Sequence, residues 1–150
     1  MNSPGSSSND QLIKMLDDVP FFKKFTPYEK KRIAGHSSSF QKYAAGKTII
    51  KDATHDNSFF VLIKGEVTVE KKNVPIVALS AGEFFGEMAF LTNSKRNTDV
   101  IAQTACMVIK VNHDLLERLS AEIREKIKDQ IIEKLVERLN KTTERLRVRM

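Results

Sequence analysis

Residues 59–70 read FFVLIKGEVTVE. A β-branched and aromatic run reaches Gly65, and beyond it the pattern alternates, Val67 and Val69 apolar against Thr68 and Glu70. A period of two sends alternate side chains to opposite faces, which is the signature of a strand with one face on a core. The same chemistry recurs in SFQKYAAGKTII (39–50), VPIVALSAGEFF (74–85), TDVIAQT (98–104) and ACMVIKVN (105–112). In the last of these Met107, Ile109 and Val111 alternate with Val108 and Lys110. Glycine, asparagine and proline punctuate the segments, and no long helix separates them. Closely spaced short strands of this kind predict an antiparallel sandwich or barrel rather than a parallel α/β sheet.

On either side of this β region the period changes. Upstream, DQLIKMLDDV (10–19) places Leu12, Ile13, Met15 and Leu16 at helical spacing after a cap at Asn9 or Asp10, and Pro20 stops it. Thr26-Pro27-Tyr28-Glu29 then carries the marks of a second helix start: a capping threonine, proline in the first turn and glutamate three residues after the cap. That helix should run to Ala34 and end at Gly35, with Phe21, Phe22 and Phe25 packing the helical segment onto the β region. Downstream, HDLLERLS (113–120) is a short helix, and AEIREKIKDQIIEKLVERLNKTTERLRVR (121–149) is long enough for at least about seven turns. The opening MNSPGSSSN (1–9) has almost nothing to bury and is expected to be a disordered tail. The expected organisation is a tail at 1–9 and one domain over 10–150. Within it lie N-terminal helices at 10–35, a β region at 38–112 and C-terminal helices at 113–150.

Composition narrows the function classes. With 150 residues, 41% hydrophobic and 29% charged, the chain has the make-up of an ordinary globular domain. Such a length buries roughly 70% of the unfolded surface without needing a disulfide or metal. Cys106 is the only cysteine, so no intrachain bridge exists, which fits a reducing compartment. No apolar run approaches the ~20 residues of a membrane helix and no signal pattern opens the chain, so a cytoplasmic location is expected. The net charge of +6 invites a nucleic-acid reading, but acids and bases are interleaved; from Asp114 onward ten Lys/Arg face eight Asp/Glu. That mixture reads as a solvated helix face with i,i+4 pairs such as Glu122–Lys126 and Glu137–Lys141, and no direct nucleic-acid binding is expected.

The chemistry concentrates in AGEFFGEMAFLTNSKRN (81–97). Gly82 and Gly86 bracket a strand end, and Glu87-Met88-Ala89-Phe90-Leu91 leaves room for little more than one helical turn. A glycine ahead of a short helix lets the backbone approach a ligand and turns the helix's free N–H groups toward it, an arrangement suited to an anion. Arg96 should return on the next strand to make charge-assisted bonds to the same anion. Glu87 would repel that anion, so its task is to meet neutral hydroxyls beside it, held ionised by Arg96 or by other neighbours. A phosphate flanked by a hydroxyl-bearing sugar meets all three demands. A structural glycine turn with a structural arginine meets the local pattern as well.

The run Phe85-Gly86-Glu87-Met88-Ala89-Phe90, five residues and then Arg96, with Val100 closing the pattern, resembles the phosphate-binding cassette of cyclic nucleotide-binding domains. The likeness extends to Val19-Pro20-Phe21-Phe22, similar to the family's N-terminal helical segment, and to Phe60–Val67, similar to its central hairpin with a turn glycine at Gly65. His113-Asp114-Leu115-Leu116 is similar to the start of its hinge helix. The resemblance is to catabolite activator and protein kinase A regulatory subunit-like modules. It implies a mainly β fold with flanking α: an antiparallel β-roll (a jelly-roll barrel), two short N-terminal helices, a short cassette helix, then a hinge helix and a long helix. It also implies cAMP or cGMP as ligand, with no further cofactor. Arg96 would pair with the cyclic phosphate and Glu87 would take the ribose 2′-hydroxyl. Gly86, Met88 and Ala89 would present backbone to the ligand, Phe85 would border it, and the Thr98 N–H would add a phosphate contact. Asn97 stands where threonine goes with cGMP and alanine or serine with cAMP; its amide can donate and accept, so it fits either base, and cAMP is favoured. Lys95 replaces a frequent proline and Thr98 a usual alanine.

Other chemistries find little support. His36, His55 and His113 are isolated, without the spacing a metal site needs. Ser37-Ser38-Ser39 has no supporting base, no nucleophile elbow or phosphate-binding loop motif occurs, and Cys106 sits inside an apolar strand as core. A non-catalytic receptor module is expected, in a stand-alone form without DNA-binding, channel or kinase domain. Its occupancy would pass through the C-terminal helices to a homodimer mate or an effector protein. In the long helix Ile123, Ile127, Ile131 and Leu135 repeat every four residues, while Ile132, Leu135, Leu139, Thr142 and Leu146 follow 3-4 spacing. Either this is one amphipathic helix on its own domain, or its first half covers the pocket and its second pairs between subunits, with Lys134 and Arg138 in reach of base or phosphate. The alternative function is an interaction or dimerisation scaffold of the same fold with a degenerate pocket.

Overall fold

The computed structural model describes residues 4–149. Helix α1 (Pro4–Asp17), a 3-10 turn at Pro20–Phe22 and α2 (Pro27–Ala34) lead into eight strands. These are β1 (Phe40–Tyr43), β2 (Thr48–Ile50), β3 (Phe59–Lys64), β4 (Glu66–Lys71), β5 (Val74–Ser80), β6 (Phe84–Phe85), β7 (Asp99–Ala102) and β8 (Cys106–Val111), with α3 (Glu87–Thr92) between β6 and β7. Helices α4 (His113–Arg118) and α5 (Ala121–Arg149) complete the fold. The expected capping box is present: the Glu29 N–H donates to Thr26 Oγ1 at 3.1 Å and the Thr26 N–H to Glu29 Oε1 at 2.8 Å. Helix α1 starts at Pro4, not at residue 9 or 10. Pro4 suits a first turn because it needs no N–H partner there, and the polar residues after it extend the helix outward from the segment anchored by Leu12 and Leu16. Residues 4–9, expected as a tail, thus belong to this helix, and residues 1–3 lie outside the described residues.

Two four-stranded antiparallel sheets form, in the orders β1-β8-β3-β6 and β2-β7-β4-β5. The stretch 59–70 is not a hairpin. Strands β3 and β4 belong to different sheets, and Gly65 is the corner between them. Its φ of +92° is left-handed, and a Cβ there would lie 2.5 Å from the Ala105 carbonyl oxygen. A strand pair cannot form across that bend, so the chain crosses from one layer to the other.

The alternation in β3 and β8 sorts side chains into two cores. Phe60, Leu62, Cys106 and Val108 face the second sheet and pack with Ile50, Val67, Phe85, Val100 and Ala102. Phe59, Val61, Ile63, Met107, Ile109 and Val111 face the other way and pack with Leu16, Phe21, Phe22, Ile33, Leu116, Ile123 and Ile127 of the helices. This sheet is buried on both faces, which is why Phe59–Ile63 is continuously apolar. Of the described helices, none is long and apolar enough to cross a membrane.

Candidate functional site

A cavity of about 570 Å³ opens where β6, α3 and the connection 93–98 face the distal part of α5. All eight residues singled out from the sequence line it: Phe85, Gly86, Glu87, Met88, Ala89, Arg96, Asn97 and Thr98. Phe85 lies on its floor with its ring stacked on Phe60 at 5.3 Å inside the barrel. Ala89 is buried, Met88 and Asn97 are exposed, and Thr98 is half-buried.

Arg96 organises the site. It does not stand on a strand as expected, but three residues ahead of β7, clamped by the segment 51–58. Its N–H donates to Thr54 O at 2.9 Å, and its own carbonyl accepts from the Ala53 N–H at 2.9 Å. The residue is only 6% exposed. Nη1 donates to the Gly86 carbonyl at 2.8 Å and Nη2 to the Ser58 carbonyl, while the buried Nε has no hydrogen-bond partner among the described residues. Burial pulls the guanidinium's pKa down and nearby Asp56 and Glu87 oppose that shift, yet a guanidinium stays protonated in proteins. Asp56 approaches Nη2 at 4.0 Å. Burial works against its charge, but bonds from Ser58 and the charges of Lys110 and Arg96 outweigh it and hold the carboxyl below its usual range. The result is a buried cation among the residues that line the cavity, with one nitrogen left without a partner among the described residues, a state in which buried donors are rarely left.

Gly86 makes this geometry feasible twice over. It caps α3 in the left-handed region, with φ +81°, and a Cβ there would meet Arg96 Nη1 at 2.9 Å and Ile50 Cδ1 at 3.0 Å. Any side chain at 86 would displace the guanidinium.

Glu87, in the first turn of α3, is tied to α5. Its Oε1 accepts from Arg138 Nη1 at 3.2 Å, Arg138 Nη2 donates to the Phe84 carbonyl at 3.3 Å, and the guanidinium lies 4.9 Å from the Phe84 ring centroid. Arg138 rather than Arg96 is thus the direct charge partner of Glu87. Asp99 is committed elsewhere, its Oδ1 accepting the Asp52 N–H at 2.7 Å.

Several lining residues had no strong signal in the sequence. Val69, Val77 and Leu79 form an apolar wall, because β5 pairs with β4 in a register that sets Val77 opposite Val69 and Leu79 opposite Val67. Ser58 and Asp56 reach Arg96 across a separation in sequence that no local pattern announces. Arg138, which was expected within reach of the pocket, arrives from α5 with Lys141, Thr142 and Arg145; their i, i+3, i+4, i+7 spacing marks one helix face and is the clue the sequence carries for the other three. Lys134 does not line the cavity and pairs with Glu137 at 3.4 Å.

Residues 40–122 match the cyclic nucleotide-binding domain family, and the chain belongs to it. A cAMP-dependent protein kinase regulatory subunit of Neurospora crassa is 38% identical over 110 residues, 72% of this chain and 28% of that protein. The chain thus spans about a quarter of the length of the curated relatives it matches. Among solved structures, "Sp-2Cl-cAMPS bound to PKAR CBD2" superposes with a TM-score of 0.71 at 29% identity, covering 96% of this chain and 94% of that one. A structure of "cAMP bound PfPKA-R" gives a TM-score of 0.70 at 28% identity, with coverage of 95% and 48%. The two facing sheets with flanking helices are the β-roll of this family, as expected from the cassette.

Proposed function

We propose that the chain is a non-catalytic cyclic nucleotide receptor module that favours cAMP over cGMP. The observation that carries this reading is Arg96, a buried cation that lines a cavity of about 570 Å³ and whose Nε has no partner among the described residues. A cyclic phosphate supplies the missing acceptor and balances the charge. The Gly86 backbone and the first turn of α3 leave space for it, and the Thr98 N–H adds a donor. The ribose 2′-hydroxyl falls to Glu87, whose second carboxylate oxygen has no protein hydrogen-bond partner among the described residues. The base rests on the apolar wall of Val69, Val77 and Leu79. The relatives that bear cAMP in their names favour adenine.

Two contacts carry occupancy outward. The Phe90 ring of α3 is stacked on His113 at the start of α4, 4.5 Å between centroids, so movement of the cassette helix reaches the hinge. Arg138 joins α5 to Glu87 directly. A ligand drives such motion only through its different affinity for the two positions of the helices. The recipient is a dimer mate or an effector protein.

A second reading, a scaffold with a non-binding pocket, is favoured by the exposed apolar residues Ile132, Val136, Leu139 and Leu146 on α5. An amide NMR titration separates the two: cAMP should shift resonances from Gly86 to Thr98 and at His113. A spectrum unchanged by millimolar cAMP and cGMP supports the scaffold.

A further inference from the structure

Charges around the cavity are not balanced. It is lined by the cations Lys95, Arg96, Arg138, Lys141 and Arg145 against the carboxylates Glu83 and Glu87, an excess of three positive charges. Glu87 is paired with Arg138 through one carboxylate oxygen, and Glu83 accepts from the Ser80 N–H at 2.7 Å. Arg96 is backed by Asp56. Lys95 and Arg145 have no carboxylate partner among the described residues, and Lys141 has only an exposed i,i+4 contact with Glu137 at 3.8 Å, a kind of pair worth little in water. Helix α5 as a whole mixes acids and bases, but the face it turns to the cavity carries Arg138, Lys141 and Arg145 and no acid. The opposing wall of Val69, Val77 and Leu79 is uncharged, so nothing there cancels the field.

We propose that Lys95, Lys141 and Arg145 form a guiding rim. It draws phosphate-bearing ligands toward Arg96 and so selects them by charge before any contact is made. The proposal deepens the receptor reading given above and rests on Arg96 as the anion's seat. The rim residues are exposed at the mouth, where water screens pairwise contacts, so they act on the rate of encounter more than on the bound complex. A cleft with low-dielectric walls and one sign of charge raises association rates by about ten-fold or more at low ionic strength. The gain fades as the screening length falls below ~10 Å near 0.1 M salt.

The test is stopped-flow association of a fluorescent cyclic nucleotide with the whole chain and two double variants. Lys141→Glu/Arg145→Glu alters the rim. Lys31→Glu/Lys128→Glu makes the same change in net charge at exposed positions away from the cavity. At low salt the rim variant should associate about ten-fold more slowly than the control variant, with dissociation within about two-fold, and the gap should close at high salt. Equal association rates in the two variants overturn the proposal. So does a loss confined to the dissociation rate, which would mean direct contact instead. If no cyclic nucleotide binds the unaltered chain, pyrophosphate is titrated against the Gly86 and Arg96 amide signals. Shifts that weaken in the rim variant but not in the control keep the rim and discard the nucleotide reading, and no shift at all discards the rim.

Discussion

Helix α5 is one unbroken element from Ala121 to Arg149, yet its halves have different occupations. In the proximal half Ile123, Ile127 and Ile131 are buried in the helical core, and Lys126 bonds both the buried Glu29 carboxylate and the Lys24 carbonyl. In the distal half Val136, Leu139 and Leu146 are exposed, and the contact with the barrel is made by Arg138. The proximal half is anchored by apolar burial, which water does not weaken, whereas the distal half is held by a half-exposed ion pair, which water does. A helix built this way holds its base by burial and ties its far half to the cavity wall by one ion pair.

The largest expected effect tests the anchor. Ile127→Ala removes a side chain that is 3% exposed and should cost about 2–5 kcal/mol in urea denaturation. Leu139→Ala, at 65% exposure, should stay within about 0.5 kcal/mol. Similar losses at both sites would erase the distinction between the halves. The next effect is pH-dependent. Burial of Glu29 raises its pKa, but bonds from Lys126 and Thr26 outweigh that and hold it below its ordinary value. A depressed folded-state pKa contributes stability that is complete above the unfolded value and lost as pH falls through the folded one. Acid titration of stability should therefore be steeper for the unaltered chain than for Glu29→Gln, with the difference confined below the ordinary glutamate pKa of about 4.3. Identical curves would remove this latch from the account. The smallest effect concerns the distal tie. Arg138→Gln should change global stability by less than about 1 kcal/mol, yet hydrogen exchange should quicken at 136–149 and stay unchanged at 121–133. Uniform exchange along α5 would contradict the division.

The sequence showed the proximal half more plainly than the distal one, and the reason is physical. Burial repeats, so Ile123, Ile127 and Ile131 announce their core face through spacing alone. The capping box at Thr26 and Glu29 and the cassette at 85–96 were legible for the same reason, because each is a local rule with fixed offsets. The hidden features were long-range. Lys126 was expected to pair with Glu122 within its own helix, but its partner is Glu29, 97 residues away. Residues 59–70 declared two strands without declaring that Gly65 sends them to different sheets. Arg96 was identified, but not the Ser58 carbonyl that accepts from it or the Asp56 carboxylate behind it. Glu87 was given a neighbouring cation without Arg138 being recognised as that cation.

Calorimetry of the unaltered chain and Arg96→Ala with cAMP and cGMP side by side shows whether Arg96 seats a cyclic phosphate. The unaltered chain should bind at micromolar concentration or tighter, with cAMP the stronger ligand. Removing a buried charge partner costs about 2–5 kcal/mol, so Arg96→Ala should lose about thirty-fold or more in affinity. No heat with either nucleotide at millimolar concentration, or equal binding by Arg96→Ala, would contradict the account.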